Sequence, residues 1–317
     1  MISCPVLAVV AALFTGILDR APHVPPDLDA SASIVRRFLQ IANVEHAARV
    51  RLPFDAPDRS WWERSPVPRP GLRIGEMTDL ERITLDRLLE SVLSPRGLAR
   101  VRAIIDEQDT LPVEEEIGSG YFWFAVYGNP FGDAKWGWRL GGHHVSLHLT
   151  YVGEELISAV PMFLGGEGPA TTGSPASRAL LRRIAAARAI VAGIPRADAS
   201  AAHLGTVLPG LIAEPARRSG FPDDTRGVPG SRLPATLVRA LVEEFTGDVR
   251  EEYASGVDRV VLATDPADVR FAWAGSPDPP ESFYARLIGP TFLIEAWIQD
   301  GHMHSILTTT DDFGAAH

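Results

Sequence analysis

Five of the nine histidines fall in two short stretches: His143, His144 and His148 in WGWRLGGHHVSLHLTYV, and His302 and His304 in FLIEAWIQDGHMHSIL. Imidazole is the commonest protein metal ligand and the side chain that most readily moves protons near neutral pH. Both stretches read as β-strands, being rich in β-branched and aromatic residues. An H-x-H pair on one strand, joined by a third group from a neighbouring strand, is a workable ligand set for Zn2+, Cu2+ or Fe2+. The expected metal ligands are His302 and His304 with His144 or Glu295, and His143 is a further candidate ligand. Against this, an H-x-H pair arises easily by chance, and strand histidines often do no more than satisfy hydrogen bonds.

Placing these residues needs the elements that carry them. Side chains alternate along a strand, so His144, Ser146 and His148 are expected on one face, and His143, Val145 and Leu147 on the other. The apolar company of His143 then makes it a buried histidine beside the core, or else both faces of the sheet are covered. Asp300-Gly301 between two β-like runs is a two-residue hairpin signal. That turn pairs Gln299 with His302, Trp297 with His304 and Glu295 with Ile306. Glu295, Trp297, Gln299, His302 and His304 then share one face. On this reading Glu295 or His144 moves protons, and Arg139 or Arg286 holds an anionic substrate. Trp297 and Gln299 line the pocket, and Trp136 and Trp138 stack on a ligand unless they are core aromatics flanking a hairpin.

Composition removes several function classes. A formal net charge of −10 with scattered arginines argues against nucleic acid. Cys4 is the only cysteine, so an intrachain disulfide and a thiolate cluster are excluded. There is no G-x-S-x-G nucleophile elbow, and the Gly-rich LGGEGPATTGSP lacks the lysine of a phosphate loop. The run from Pro5 to Leu18 matches a signal-peptide core in length but is too short for a stable membrane span. No lysine or arginine precedes it and no small-x-small cleavage site follows, so secreted and cytoplasmic locations both stay open. Residues 1–30 are therefore expected as an N-terminal extension, and 31–317 as a single α+β domain with a loop-rich middle around 165–234.

Helical spacing predicts a helix from about 33 to 50 with Ile34, Phe38, Ile41 and Val44 inward. A second, capped by Thr78 and Glu81, turns Leu80, Ile83, Leu88 and Val92 inward. A third opens at Ser94-Pro95 with Leu98, Val101, Ile104 and Ile105 inward. SRALLRRIAAARAIVAG and about 235–253 add two more. The strands YFWFAVYG, WGWRLGGHHVSLHLTYV, ELISAVPMF, VRFAWAG, SFYARLI, TFLIEAWIQ and HMHSILTT come in blocks, so the fold class expected is α+β with a largely antiparallel sheet. No repeat of fixed period is visible.

Together, LPFD…RSWW…PRPGL…EMT, WGWRLGGHHVSLHLT, FAWAG, FYARLIGPTFLIE and HMHS…DDFG resemble the bacterial domain-of-unknown-function family numbered 3500, over about Ile34 to Gly314. The resemblance carries no established activity. It covers Trp136, Trp138, Arg139, His143, His144, Ser146, Trp273, Arg286, Glu295, His302 and His304, which implies a shared site for the two histidine clusters. His148 stands where similar proteins have asparagine and is the poorer ligand. The chain departs from the pattern in a shorter stretch between Glu295 and His302, which lacks an Asn/Gln-rich segment, and in ending soon after DDFG.

The leading expectation is a metal-dependent enzyme acting on a small molecule. An all-histidine site with an open position suits a Zn2+-activated water and hydrolysis or hydration, and a histidine–carboxylate set suits Fe2+ and oxygen chemistry. One alternative is a non-catalytic, possibly secreted protein whose aromatic-lined sheet holds a ligand. Another is metal-free acid–base chemistry by His144 and Glu295. Oligomeric state is not legible.

Overall fold

A computed structural model describes residues 31–112, 116–132, 134–167, 175–213, 226–253, 261–279 and 282–310. The N-terminal extension to residue 30 and the DDFG segment lie outside the described residues.

The first expected helix is two. Asn43 takes extended backbone and its side chain accepts the His46 N–H, which ends α1 (Ser31–Ile41) and caps α2 (Val44–Val50). Val44, expected inward, is therefore 89% exposed at the new N-terminus. The Thr78–Glu81 capping box starts α3 (Asp79–Val92) as expected. Its inner face is rotated, however. Glu81 is buried because its carboxylate accepts from Thr78 N at 2.7 Å and meets His46 Nδ1 at 2.9 Å. Leu85, Leu88, Leu89 and Val92 follow it inward, while Leu80 and Ile83 stay 53% exposed. Ser94 caps α4 (Pro95–Glu107), which buries Val101 and Ile104. Further along are α5 (Pro175–Gly193), the short α6 (Ala199–Ala202) and α7 (Ala235–Thr246).

The strands are β1 (Arg51–Leu52), β2 (Leu72–Arg73), β3 (Phe122–Tyr127), β4 (Lys135–Gly142), β5 (Val145–Val152), β6 (Glu155–Ser158), β7 (Met162–Gly166), β8 (Val228–Pro229), β9 (Arg270–Gly275), β10 (Phe283–Ile288), β11 (Phe292–Gln299) and β12 (His302–Thr309). They form a 12-stranded sheet in the order β1-β3-β4-β5-β7-β12-β11-β10-β9-β8, with β2 on β3 and β6 on β5. All pairings are antiparallel except β1 with β3. The α+β class with a largely antiparallel sheet is the observed one.

Both faces of the sheet are covered. One carries Trp136, Trp138, Leu140, Val145, Leu147, Ile294, Ala296 and Met303 against the helices. The other carries Phe163, Tyr284, Leu293 and Ile306, and described parts of two connections lie on it, placing Trp62 and Leu211 on these side chains. The first connection covers 53–71. The second starts at 203 and ends at 227, with 214–225 outside the described residues.

The two halves of the sheet repeat one strand arrangement, although no repeat of fixed period is visible in the sequence. β3-β4-β5 and β9-β10-β11 share one register: Arg139 faces His148 across β4/β5, and Arg286 faces Glu295 across β10/β11. Gly71 and Gly227 hold the same left-handed backbone and lie against the carbonyls of Phe124 and Phe271. Arg139 Nη2 donates to Pro70 O at 3.0 Å, and Arg286 Nη2 to Arg226 O at 3.3 Å. The halves also meet reciprocally. Ser94 N donates to Asp248 O and Arg250 N to Val92 O, each at 2.9 Å. Their sheets join where β7 pairs with β12.

Candidate metal centre

His143 and His144 form the two-residue turn between β4 and β5, since Gly142 pairs with Val145. The strand alternation expected for them does not apply there. His144 takes a left-handed backbone, φ 64°, which few residues with a Cβ adopt. Its ring stacks on His143 with centroids 3.9 Å apart. The same ring lies over Gly165, where a Cβ would come 2.7 Å from His144 Cδ2. Gly165 N donates to His144 O at 2.8 Å, and Gly165 pairs across the sheet with His304. The absent side chain thus lets the first-half turn reach the second-half strand.

The 300–301 hairpin has the expected register: Gln299 with His302, Trp297 with His304, Glu295 with Ile306. His304 stacks on Trp297 at 5.3 Å and meets Phe163 at 5.3 Å, while Trp297 presents its plane at 87° to His302. His144 Nε2 stands 2.9 Å from His302 Nε2 and 3.4 Å from His304 Nε2. Around an ion bound at about 2.0–2.1 Å, tetrahedral nitrogen ligands stand about 3.3 Å apart. These three imidazoles could hold a metal ion, and so could His143, His144 and Glu167. Glu167 Oε1 lies 3.5 Å from His302 Nε2, 3.8 Å from His144 Nε2 and 3.9 Å from His143 Nε2. His302 and Glu167 are half-buried and form the open side; His144 and His304 are buried.

The electrostatics keep the imidazoles neutral. Burial holds His144 well below the usual range, with His143, His304 and His302 adding to it. His304 is lowered to about 2 by burial, then by His302 and Arg64, and His143 to about 4 by burial, then by His302 and Arg69. His302 is also lowered by burial, against the pull of Glu167. A neutral imidazole offers a lone pair, which a metal requires.

The tautomer of His143 follows from its neighbour. Gln108 Nε2 donates to Ile104 O at 3.1 Å, so Gln108 Oε1 faces His143 Nδ1 at 2.7 Å and accepts its proton. The lone pair of His143 is then on Nε2, toward Glu167. Among the described residues, the buried His144 Nδ1 has no hydrogen-bond partner. Stacking on His143 and the space over Gly165 orient that ring in place of the usual acceptor.

Several expected site residues lie elsewhere. Glu295 is on the predicted face, yet its oxygens accept from Ile212 N, Ala213 N and Tyr284 Oη, each at 2.8 Å. Burial raises its pKa, and its work is to fasten the second connection. Arg139 is buried, donating to the carbonyls of Asp58 at 2.6 Å and Pro70 at 3.0 Å, so it holds the first connection. Arg286 does the same at Arg226. Trp136 and Trp138 are in the helix-side core: Trp136 stacks on Tyr151 at 4.3 Å, and Trp138 Nε1 donates to Tyr151 Oη at 3.3 Å. The aromatic-lined ligand sheet is therefore absent there. His148 bonds Arg59 O and Ser146 Oγ, each at 2.9 Å, and takes no part in the cluster. Gln299 is exposed at the hairpin end. Glu167 was missed, because an isolated carboxylate in the Gly-rich LGGEGP has no spacing to announce it.

Fold and site together define an internally duplicated α+β protein with a four-histidine, one-carboxylate cluster at the seam of its halves. The family model described as "Protein of unknown function (DUF3500)" matches residues 27–315, and the chain belongs to that family. No curated protein and no solved structure matches the chain. No helix among the described residues is long and apolar enough to cross a membrane.

Proposed function

We propose that the protein is a metal-dependent enzyme acting on a small molecule, with Zn2+ held by His144, His302 and His304 and hydrolysis or hydration as its reaction. The observation that carries this reading is the convergence of three imidazole Nε2 atoms from two separate sequence clusters. When bound, the ion lowers the pKa of a coordinated water toward neutrality. Glu167, on the open side, would serve as proton acceptor for such a water, with His143 Nε2 3.9 Å from its carboxylate as the next group along. Trp297 and Phe163 keep the ligand side chains in place and exclude water from their inner edges. Glu295, engaged by three donors, leaves metal-free acid–base chemistry with His144 without its second group.

Elemental analysis tests the reading. Wild-type protein loaded from excess zinc and desalted should carry one equivalent, and the His302→Ala/His304→Ala double variant should carry none with its circular dichroism unchanged. Folded wild-type protein that retains no divalent metal would overturn the proposal. Iron in place of zinc would move the chemistry to oxygen, with Glu167 as the carboxylate ligand.

A further inference from the structure

Arg64 lies on the first connection, two residues past Trp62. Trp62 is buried and stacks on Phe163 at 4.9 Å, and Phe163 meets His304. A few residues further on, the buried Arg69 donates to Glu63 O and Ser65 O, each at 2.8 Å, to Val67 O, and to Gly142 O at 3.2 Å. Gly142 is the residue before His143. The 62–69 segment is thus tied at one end to the wall of the site that holds His304 and at the other to the wall that holds His143. Within it, the Glu63 carboxylate accepts the N–H groups of Arg64 at 2.8 Å and Ser65 at 3.0 Å, which fixes the chain where Arg64 departs.

The Arg64 side chain is exposed, and among the described residues its guanidinium has no hydrogen-bond or ion-pair partner. The Arg64 backbone lies between Trp62 and Arg69, the two residues that reach the His304 and His143 walls of the site. Arg69, by contrast, is consumed by carbonyls, and Arg139 and Arg286 are buried elsewhere. A divalent ion, Arg64 and Arg69 together outweigh the Glu63 and Glu167 carboxylates, so the mouth is positive in a chain of formal charge −10. Such a local reversal of sign concentrates anions.

We infer that the substrate carries a carboxylate or phosphate group and that Arg64 binds it at the rim of the histidine cluster. A planar guanidinium matches either group through two parallel N–H···O bonds. The inference deepens the metal-centre reading and rests on it for the second anchor of the substrate.

Calorimetric titration with inorganic phosphate and, separately, with acetate tests it, using wild type, Arg64→Gln and Arg64→Lys, each zinc-loaded and chelator-treated. Zinc content is measured in parallel. At least one anion should bind the zinc-loaded wild type, about tenfold more weakly in R64Q and with partial recovery in R64K, at equal zinc content. Which anion binds assigns the group. Equal binding to R64Q, or no binding of either anion to zinc-loaded wild type, overturns the inference and leaves the metal site standing. Should wild type hold no zinc, the metal reading fails, and the chelator-treated titrations decide the anion site by the same comparison.

Discussion

His144 has the least freedom of the clustered imidazoles, since its backbone, its stacking partner and the bare Cα of Gly165 all constrain one ring orientation. Gly165→Ala should push that ring aside while leaving the fold intact, because the added methyl meets His144 and the Met303 carbonyl. Zinc affinity, measured by competition with a chromophoric chelator, should fall on the order of tenfold or more. His148 makes a separate prediction. Burial lowers its pKa to about 3, whereas an unfolded histidine titrates near 6.5. The unfolded state therefore binds the extra proton between these values. Stability from this residue is fully present above about pH 6.5 and declines as pH falls toward 3, by on the order of 1 kcal/mol per pH unit. Urea unfolding of metal-free His148→Asn should show a shallower loss from pH 6.5 to 4.5 than wild type. The types and clustering of the histidines were legible in the sequence. What was not legible was occupation: Glu295 sits where the pattern placed it, but backbone N–H groups from residues 212 and 213 hold it, and no local rule brings them there.

At the scale of elements, the 300–301 hairpin and the 53–71 connection set the two walls of the site. Asp300 and Gly301 both take positive φ, 52° and 87°, which suits the turn type that the Asp-Gly pair signals. Gly301→Ala should cost about 1 kcal/mol, read as a small drop in the unfolding midpoint, and loosen His302 more than His304, seen as weaker zinc binding. Arg69 ties the connection down through four carbonyls. Arg69→Met should lower stability by about 2–3 kcal/mol in urea unfolding and should expose the 62–69 segment to protease first. The hairpin could be read because two adjacent residues specify it. The inner face of α3 was misread because Glu81, polar by composition, is buried by its cap and by His46. The covering connections were unreadable in detail: prolines mark irregular chain, but not which face of the sheet it crosses.

The whole molecule is a duplicated sheet closed by helices, and one cluster of interior charges sits where the halves meet. Arg100 donates to Asp248 at 2.6 Å and to Glu244 at 2.6 Å, and Arg183 binds Asp248 and Ser305 Oγ, the latter at 2.7 Å. Ser305 Oγ in turn donates to Leu164 O across the β7/β12 junction. Removing one member strands buried guanidinium charge, so Asp248→Ala should cost about 3–5 kcal/mol, read from the denaturation midpoint. The fold class was legible because strands and helices come in blocks. The duplication was not, since RLGGHHVSLH and RLIGPTFLIE keep their shared Arg-Leu and their glycine but little else. Backbone register outlasts side-chain identity, and the equivalence of His148 with Glu295 emerges only from strand pairing.

His144 comes from the first half, His302 and His304 from the second, and they meet beside the β7/β12 pair that joins the two halves of the sheet. An ion held by all three is then a rivet through that joint. Each tenfold excess of free zinc over its dissociation constant should tighten the union by about 1.4 kcal/mol. Chelation should first be felt as separation along β7 and β12, with amide hydrogens there exchanging sooner than those deep in either half. A protein so built would be sturdiest when loaded, and any slip between its halves would release the ion.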